Sequence, residues 1–268
     1  LAKAANAGEF ESAHVRSFNL DEYIGLPGDN AQQRVLHPES YAYFMIQEFF
    51  SLLARKFAET CVPYGALVEQ ERLESELARH PEDWTAEGQG AGKSIVISGS
   101  ARSEYLAWIR KDIQQKYDEK IRSSGGVDIQ VIGVGGRGHV AFHEAGIPFK
   151  GSRVLIVQLD ENTVANSVAD GHFKTKDESP RFAASMGAEL VYEARNVILL
   201  ANGERKRVPV ARSLLEGVSP EIPISYGQQY AKNGGNLVYV VDAIAGADLV
   251  ASRPKLAAKG IELEDLRA

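Results

Sequence analysis

Apolar runs rich in β-branched residues alternate along the chain with segments whose apolar positions recur at helical spacing. Runs at 13–19 (AHVRSFN), 128–134 (DIQVIGV), 153–159 (RVLIVQL), 196–201 (NVILLA) and 236–242 (NLVYVVD) predict strands. All but the first show little polar alternation, which predicts strands covered on both faces, as in parallel sheets. Between them, 38–60 opens on a proline and carries a stripe of Tyr41, Phe44, Met45, Phe49, Leu52, Leu53 and Phe57. That is the pattern of a helix with one broad buried face. A second helix is predicted over 103–122, where Tyr105, Leu106, Ile109, Ile113, Tyr117 and Ile121 turn inward. A third, over 204–216, stops at Gly217. Strand and helix alternate in order, so the predicted fold is α/β: a doubly wound, mostly parallel sheet with helices on both faces.

Residues 62–100 break the pattern, with Glu, Arg, Gly and Ser dominating. They read as a surface insertion carrying a short helix at about 67–79, within a single domain spanning 1–268. The GQGAGKS run at 88–94 looks like a phosphate loop but fails on spacing. The pattern G-x-x-x-x-G-K-[ST] would put its first glycine at Glu87.

Composition narrows the function classes. The chain has 268 residues, 44% hydrophobic and 25% charged, enough for a substantial globular core. A net charge of −6 argues against a nucleic-acid partner, though a local cluster of donors can still bind a small anion. Cys61 is the only cysteine, which excludes an internal disulfide and a cysteine-based zinc site. His139 and His143 are four apart, but the chain between them is a glycine-bounded loop and no third ligand is evident, so no metal is predicted. No apolar run approaches the ~20 residues that span a bilayer. The expectation is a soluble, cytoplasmic protein without a membrane partner.

The most informative stretch is 133–146, GVGGRGHVAFHEAG, directly after a predicted strand. Gly133, Gly135 and Gly138 satisfy G-x-G-x-x-G, and Asp160 and Glu161 follow at about the distance of a ribose-binding acid. A dinucleotide site nevertheless needs a helix of several turns after the third glycine. Gly146, Pro148 and Gly151 interrupt the short segment available, so a nicotinamide cofactor is set aside. What remains is His139 with Glu144, among glycines (Gly135, Gly136, Gly138) that let backbone approach a ligand. Histidine transfers protons near neutral pH, and a carboxylate can fix its tautomer. The blander reading is a hydrogen-bonded loop histidine. A second cluster is the carboxylate pair Asp21 and Glu22, at the exit of strand 13–19. A third is Lys206, in the first turn of a helix that follows Asn202-Gly203, which reads equally as an anion site or as an exposed basic helix start.

Together these clusters resemble the glucosamine-6-phosphate deaminase/isomerase family, whose superfamily also holds 6-phosphogluconolactonases and ribose-5-phosphate isomerases. The matching pieces are FNLDEYIGL (18–26), HPESYAYFM (37–45), GVGGRGHVAFHEAG (133–146), TVANS (163–167), ASMG (184–187) and the NGERK turn ending at Lys206. The resemblance implies a modified Rossmann-like fold whose N-terminal strand and phosphate loop would lie upstream of Leu1. It implies an aldose–ketose isomerisation that releases ammonia from an amino sugar phosphate, with no organic cofactor. Asp21 would move a proton between carbons 2 and 1 of the open-chain sugar. His139 would open the ring, Glu144 would hold His139, and Lys206 would hold the phosphate. Glu22, Gly135, Gly136, Arg137 and Gly138 would line the substrate.

Three positions depart from the family pattern. Arg137 stands where an aspartate normally precedes the histidine by two, and a guanidinium nearby disfavours an imidazolium. His143 stands in place of asparagine, and Val168 in place of a phosphate-binding arginine. Two readings follow: a deaminase/isomerase, or a sugar-phosphate-binding homologue whose catalysis is lost or altered. A lactonase is a minor third. The sequence leaves a homo-oligomer open.

Overall fold

The computed structural model describes residues 1–266. Its strands are β1 (Arg16–Phe18), β2 (Asp21–Ile24), β3 (Glu59–Cys61), β4 (Trp84–Glu87), β5 (Lys93–Ile97), β6 (Ile129–Ile132), β7 (Val154–Gln158), β8 (Phe182–Met186), β9 (Asn196–Ala201) and β10 (Asn236–Val241). They divide between two compact units. One comprises Leu1–Glu87, Lys93–Ser124 and Val154–Met186; the other comprises Gly88–Gly92, Gly125–Arg153 and the chain from Gly187 onward.

The first unit is built on a five-stranded sheet in the order β2-β8-β7-β5-β4, with every pairing antiparallel. A separate parallel pair joins β1 to β3. The expectation of a mostly parallel sheet is therefore corrected for this unit. The continuous apolar runs do mark burial on both faces: four of five β7 positions and all of β8 are buried. Burial on both faces carries no information about strand direction, and antiparallel strands covered on both sides show the same apolar runs. Strand 13–19 is also shorter than expected, and Asp21 opens β2 instead of closing β1.

Segment 62–100, expected as a surface excursion, supplies part of the core of this unit, apart from Gly88–Gly92, which belong to the other. Val68, Leu73, Leu77, Ile95 and Ile97 pack with Leu106, Ile109, Ile113, Ile156 and Phe182. The helical run expected over 103–122 spans 104–123 and is capped by Ser103, whose Oγ accepts from Leu106 N at 3.2 Å. It widens to a π turn at Ile109–Gln115. The helix expected over 38–60 stops at Glu48, where Phe49 leaves helical geometry (φ −137°, ψ −61°). Its downstream aromatics, Phe49, Phe50 and Phe57, pack on one another instead.

The second unit has the parallel sheet that was expected, in the order β10-β9-β6. Register places Ile129, Val131, Ile198, Leu200, Val238 and Val240 on one face. Among these, Ile129, Val131, Leu200, Val238 and Val240 are exposed, so the helical cover expected on both faces is present on one. After β9 the chain turns through Gly203, at φ +82°, into the helix Glu204–Leu215.

Candidate active site

In the first unit, β2 sets the acidic pair. Successive strand residues point to opposite faces, so Asp21 and Glu22 diverge. Glu22 is almost fully buried. Its carboxylate accepts from Ser40 Oγ at 2.8 Å, Ala42 N at 3.0 Å, Tyr41 N at 3.2 Å and Tyr23 N at 2.9 Å. A negative group thus sits at the start of the helix Tyr41–Glu48, where unsatisfied N–H groups and the helix dipole favour it. Burial pushes the Glu22 pKa up, against the pull of those hydrogen bonds. Both Glu22 oxygens are committed to the protein, which gives this residue a structural occupation at a position read as substrate-binding.

Asp21 differs. Burial, assisted by the charge of Glu22, raises its pKa to about 7. A carboxyl group in that range exchanges protons readily near neutral pH. An aromatic group stands beside it: Tyr23 stacks on Tyr41 with centroids 5.3 Å apart, and Phe173 meets Tyr23 edge-on at 5.7 Å. Burial, then the Asp21 charge, drives the Tyr41 hydroxyl well above its usual range. Val168 lies in the helix Glu161–Ala169 of the same unit. Asp160, which a ribose site would have required, is the N-cap of that helix and accepts from Asn162 N at 2.7 Å.

In the second unit, the loop after β6 builds the histidine site. Gly135 N donates to His139 O at 3.0 Å, and Gly138 N donates to Gly135 O at 2.9 Å, closing a tight turn with Gly138 at φ +81°. A β-carbon on Gly135 would come within 1.7 Å of His139 Nε2, so the imidazole lies directly over the glycine backbone. That close approach requires glycine. Gly136 and Arg137 form the exposed crest of the turn. His139 Nδ1 lies 3.3 Å from Glu144 Oε2, and Glu144 is 2% exposed. The carboxylate can hold one ring nitrogen while the other exchanges a proton.

Two features of this site were not assigned from sequence. His143 is fully buried, with Nδ1 accepting from Ala188 N at 3.0 Å and Nε2 3.0 Å from Ile147 O. An amide donor on one side and a carbonyl on the other assign the neutral tautomer protonated at Nε2. Burial also lowers its pKa to about 4. The glycine run Gly88–Gly92, rejected above as a phosphate loop, packs against 144–146. A β-carbon on Gly92 would meet Glu144 Cγ at 2.5 Å, one on Gly90 would meet Ala145 O at 2.3 Å, and Gln89 N donates to Gly146 O at 3.0 Å. The alternation of glycines at 88, 90 and 92 was the available signal, a run that needs close backbone contact.

Lys206 is half-buried in the first turn of the helix Glu204–Leu215, and its N donates to Gly203 O at 3.1 Å. Its neighbour Arg207 is held by Asp248 at 2.7 Å. Asp242 accepts from Gly203 N at 3.1 Å and Ala245 N at 2.7 Å, fixing the turn in which Lys206 stands. Asp21 and Glu22 thus belong to the first unit, and Gly135, Gly136, Arg137, Gly138, His139, Glu144 and Lys206 to the second. Among the described residues, no cluster of three His, Cys, Asp or Glu could hold a metal ion, and no helix is long and apolar enough to cross a membrane.

Comparison with known proteins adds a lineage. The glucosamine-6-phosphate deaminase of Clostridium acetobutylicum is 33% identical over 229 residues, covering 84% of this chain and 73% of its own length. That of Rhodopirellula baltica is 30% identical over 247 residues, covering 92% and 77%. Among solved structures, a monomeric glucosamine-6-phosphate deaminase matches at a TM-score of 0.64 and 24% identity, covering 92% of this chain and 80% of that one. A 6-phosphogluconolactonase from Thermotoga maritima matches at 0.52 and 12% identity, covering 90% and 78%. These two likenesses concern the fold. No protein-family model matches the chain.

Proposed function

The chain belongs to the glucosamine-6-phosphate deaminase family, and on that premise we propose that it converts an amino sugar phosphate, glucosamine 6-phosphate or a close relative, into the ketose phosphate with release of ammonia. The observation that supports this most directly is the His139–Glu144 pair, 3.3 Å apart on a glycine turn. His139 passes a proton to the ring oxygen and opens the sugar, while Glu144 orients the imidazole. Asp21, with its pKa near neutrality, takes the proton from carbon 2 and returns it to carbon 1. Water then replaces the nitrogen at carbon 2. Lys206 holds the phosphate, and Gly135, Gly136, Arg137 and Gly138 border the sugar. The reaction needs no organic cofactor. We place it in the cytoplasm as the work of one domain spanning the chain, with a small sugar phosphate as its partner and neither nucleic acid nor membrane.

A second reading has its own observation. Arg137, exposed on the crest two residues before His139, brings a permanent cation where the family pattern has a carboxylate. A sugar-phosphate-binding homologue with altered catalysis would tolerate that exchange.

The experiment is ammonia and ketose formation from glucosamine 6-phosphate by the parent and by Asp21→Asn and His139→Asn. Turnover by the parent that falls about 100-fold or more in each variant supports the deaminase. Ligand binding by the parent without turnover supports the second reading.

A further inference from the structure

We infer that His143 is a positioning residue for the reaction, a neutral strut that holds Glu144 toward His139 against the glycine wall at Gly92. The inference rests on the proposed role of the His139–Glu144 pair. The buried ring of His143 uses both nitrogens. One receives the Ala188 amide proton, and the other donates to the Ile147 carbonyl, three residues beyond Glu144. Ile147 N in turn donates to Glu144 O at 3.2 Å, and Gly146 N donates to Pro220 O at 2.8 Å. The bend that carries Glu144 is therefore tied at both ends and to two other stretches of the same unit. On its other flank, the Glu144 side chain meets the Gly92 backbone so closely that one added methyl would overlap Cβ and Cγ.

Neutrality matters to this arrangement. The charged or titratable groups facing His143 are Glu144 and His139; burial, with His139 acting in the same direction, outweighs the Ile147 hydrogen bond and the Glu144 charge and keeps the ring uncharged. Glu189, on the short helix that begins at Ala188, is turned toward Gly151 and Arg153. A cation at position 143 would compete with His139 for Glu144. A neutral ring that accepts on one side and donates on the other serves as an amide would, which accounts for histidine at a position where the family pattern has asparagine.

The test has two parts. In the intact protein, nitrogen–proton imidazole spectra should show His143 protonated at Nε2 alone from pH 5 to 9 (a chosen span around neutrality), without titration. An Nδ1–H form, or a titration inside that span, overturns the proposal. In kinetics, His143→Phe and Gly92→Ala should each lower kcat about tenfold or more with KM little changed, since a small misplacement at a catalytic pair is costly. His143→Asn should restore most of that loss, which a purely structural role would not produce. Glu144→Gln is the control. If it abolishes turnover while His143→Phe and Gly92→Ala leave kcat intact, the strut is wrong and the site reading stands. If Glu144→Gln itself leaves kcat intact, the site reading fails and the strut with it. Should His143→Phe not fold, Gly92→Ala and the spectra still decide.

Discussion

Asp21 and Glu22 differ by one methylene and one step along β2, and their surroundings divide their labour. Glu22 faces four donors; Asp21 faces aromatic rings and its neighbour's charge. The chemistry of the pair was legible in the sequence, but its division was not, because Ser40, Tyr41 and Ala42 lie far downstream. The raised pKa of Asp21 carries a stability consequence. An unfolded aspartate ionises near 3.8, whereas the folded one holds its proton to about 7. The stability that the neutral carboxyl contributes is complete below the unfolded value and is lost as pH rises through the folded one. Asp21→Asn carries no such loss. Its stability relative to the parent should therefore grow between pH 4 and pH 8, by at most ~4 kcal/mol, with residual solvent access reducing that figure. Urea unfolding of both proteins at several pH values checks this, and a difference that stays flat across the range refutes the burial argument. The parent's kcat/KM should rise over the upper part of that range, as Asp21 ionises to its basic form.

At the scale of elements, the strands at 128–134, 153–159, 196–201 and 236–242 were legible because their apolar runs are long and bounded by turn residues. The helix Tyr41–Glu48 was legible in its existence and not in its bounds: it starts after the Ser40 cap, not at Pro38, and the stripe continues past Phe49 in residues that pack as an aromatic cluster. Its start is a double cap. Ser40 Oγ accepts from Tyr43 N at 3.3 Å and donates to Glu22. Replacing Glu22 with glutamine removes the negative charge from the helix start. It also turns an amide donor toward groups that donate already. Glu22→Gln should therefore destabilise the protein by about 1–3 kcal/mol. Ser40→Ala should cost about 1 kcal/mol, the ordinary value of an N-cap. Thermal unfolding of the two variants measures both, and a Glu22→Gln protein as stable as the parent would show that the carboxylate does not anchor this helix.

Across the whole molecule, the His139–Glu144 constellation was readable from one glycine-rich run because its members lie within a dozen residues. The five-stranded sheet was not. Its strands are gathered from β2, β4, β5, β7 and β8, and β4 and β5 sit in a stretch whose Glu, Gly and Ser content signals a surface loop. Composition averaged over 62–100 conceals a short alternation in β5, where Ile95 and Ile97 face the core and Val96 faces out. That alternation is the period-two signature of a strand with one covered face. The contrast can be measured on adjacent residues. Ile95 is 1% exposed and lies in the core cluster of the first unit, so Ile95→Ala should cost about 2–5 kcal/mol through lost burial and the cavity left behind. Val96, 38% exposed on the opposite face, should cost about 0.5 kcal/mol or less as Val96→Ala. Denaturant midpoints of the two variants decide the matter: equal, small effects would return 62–100 to the surface, whereas a large loss confined to Ile95 places β5 among the strands on which the first unit depends.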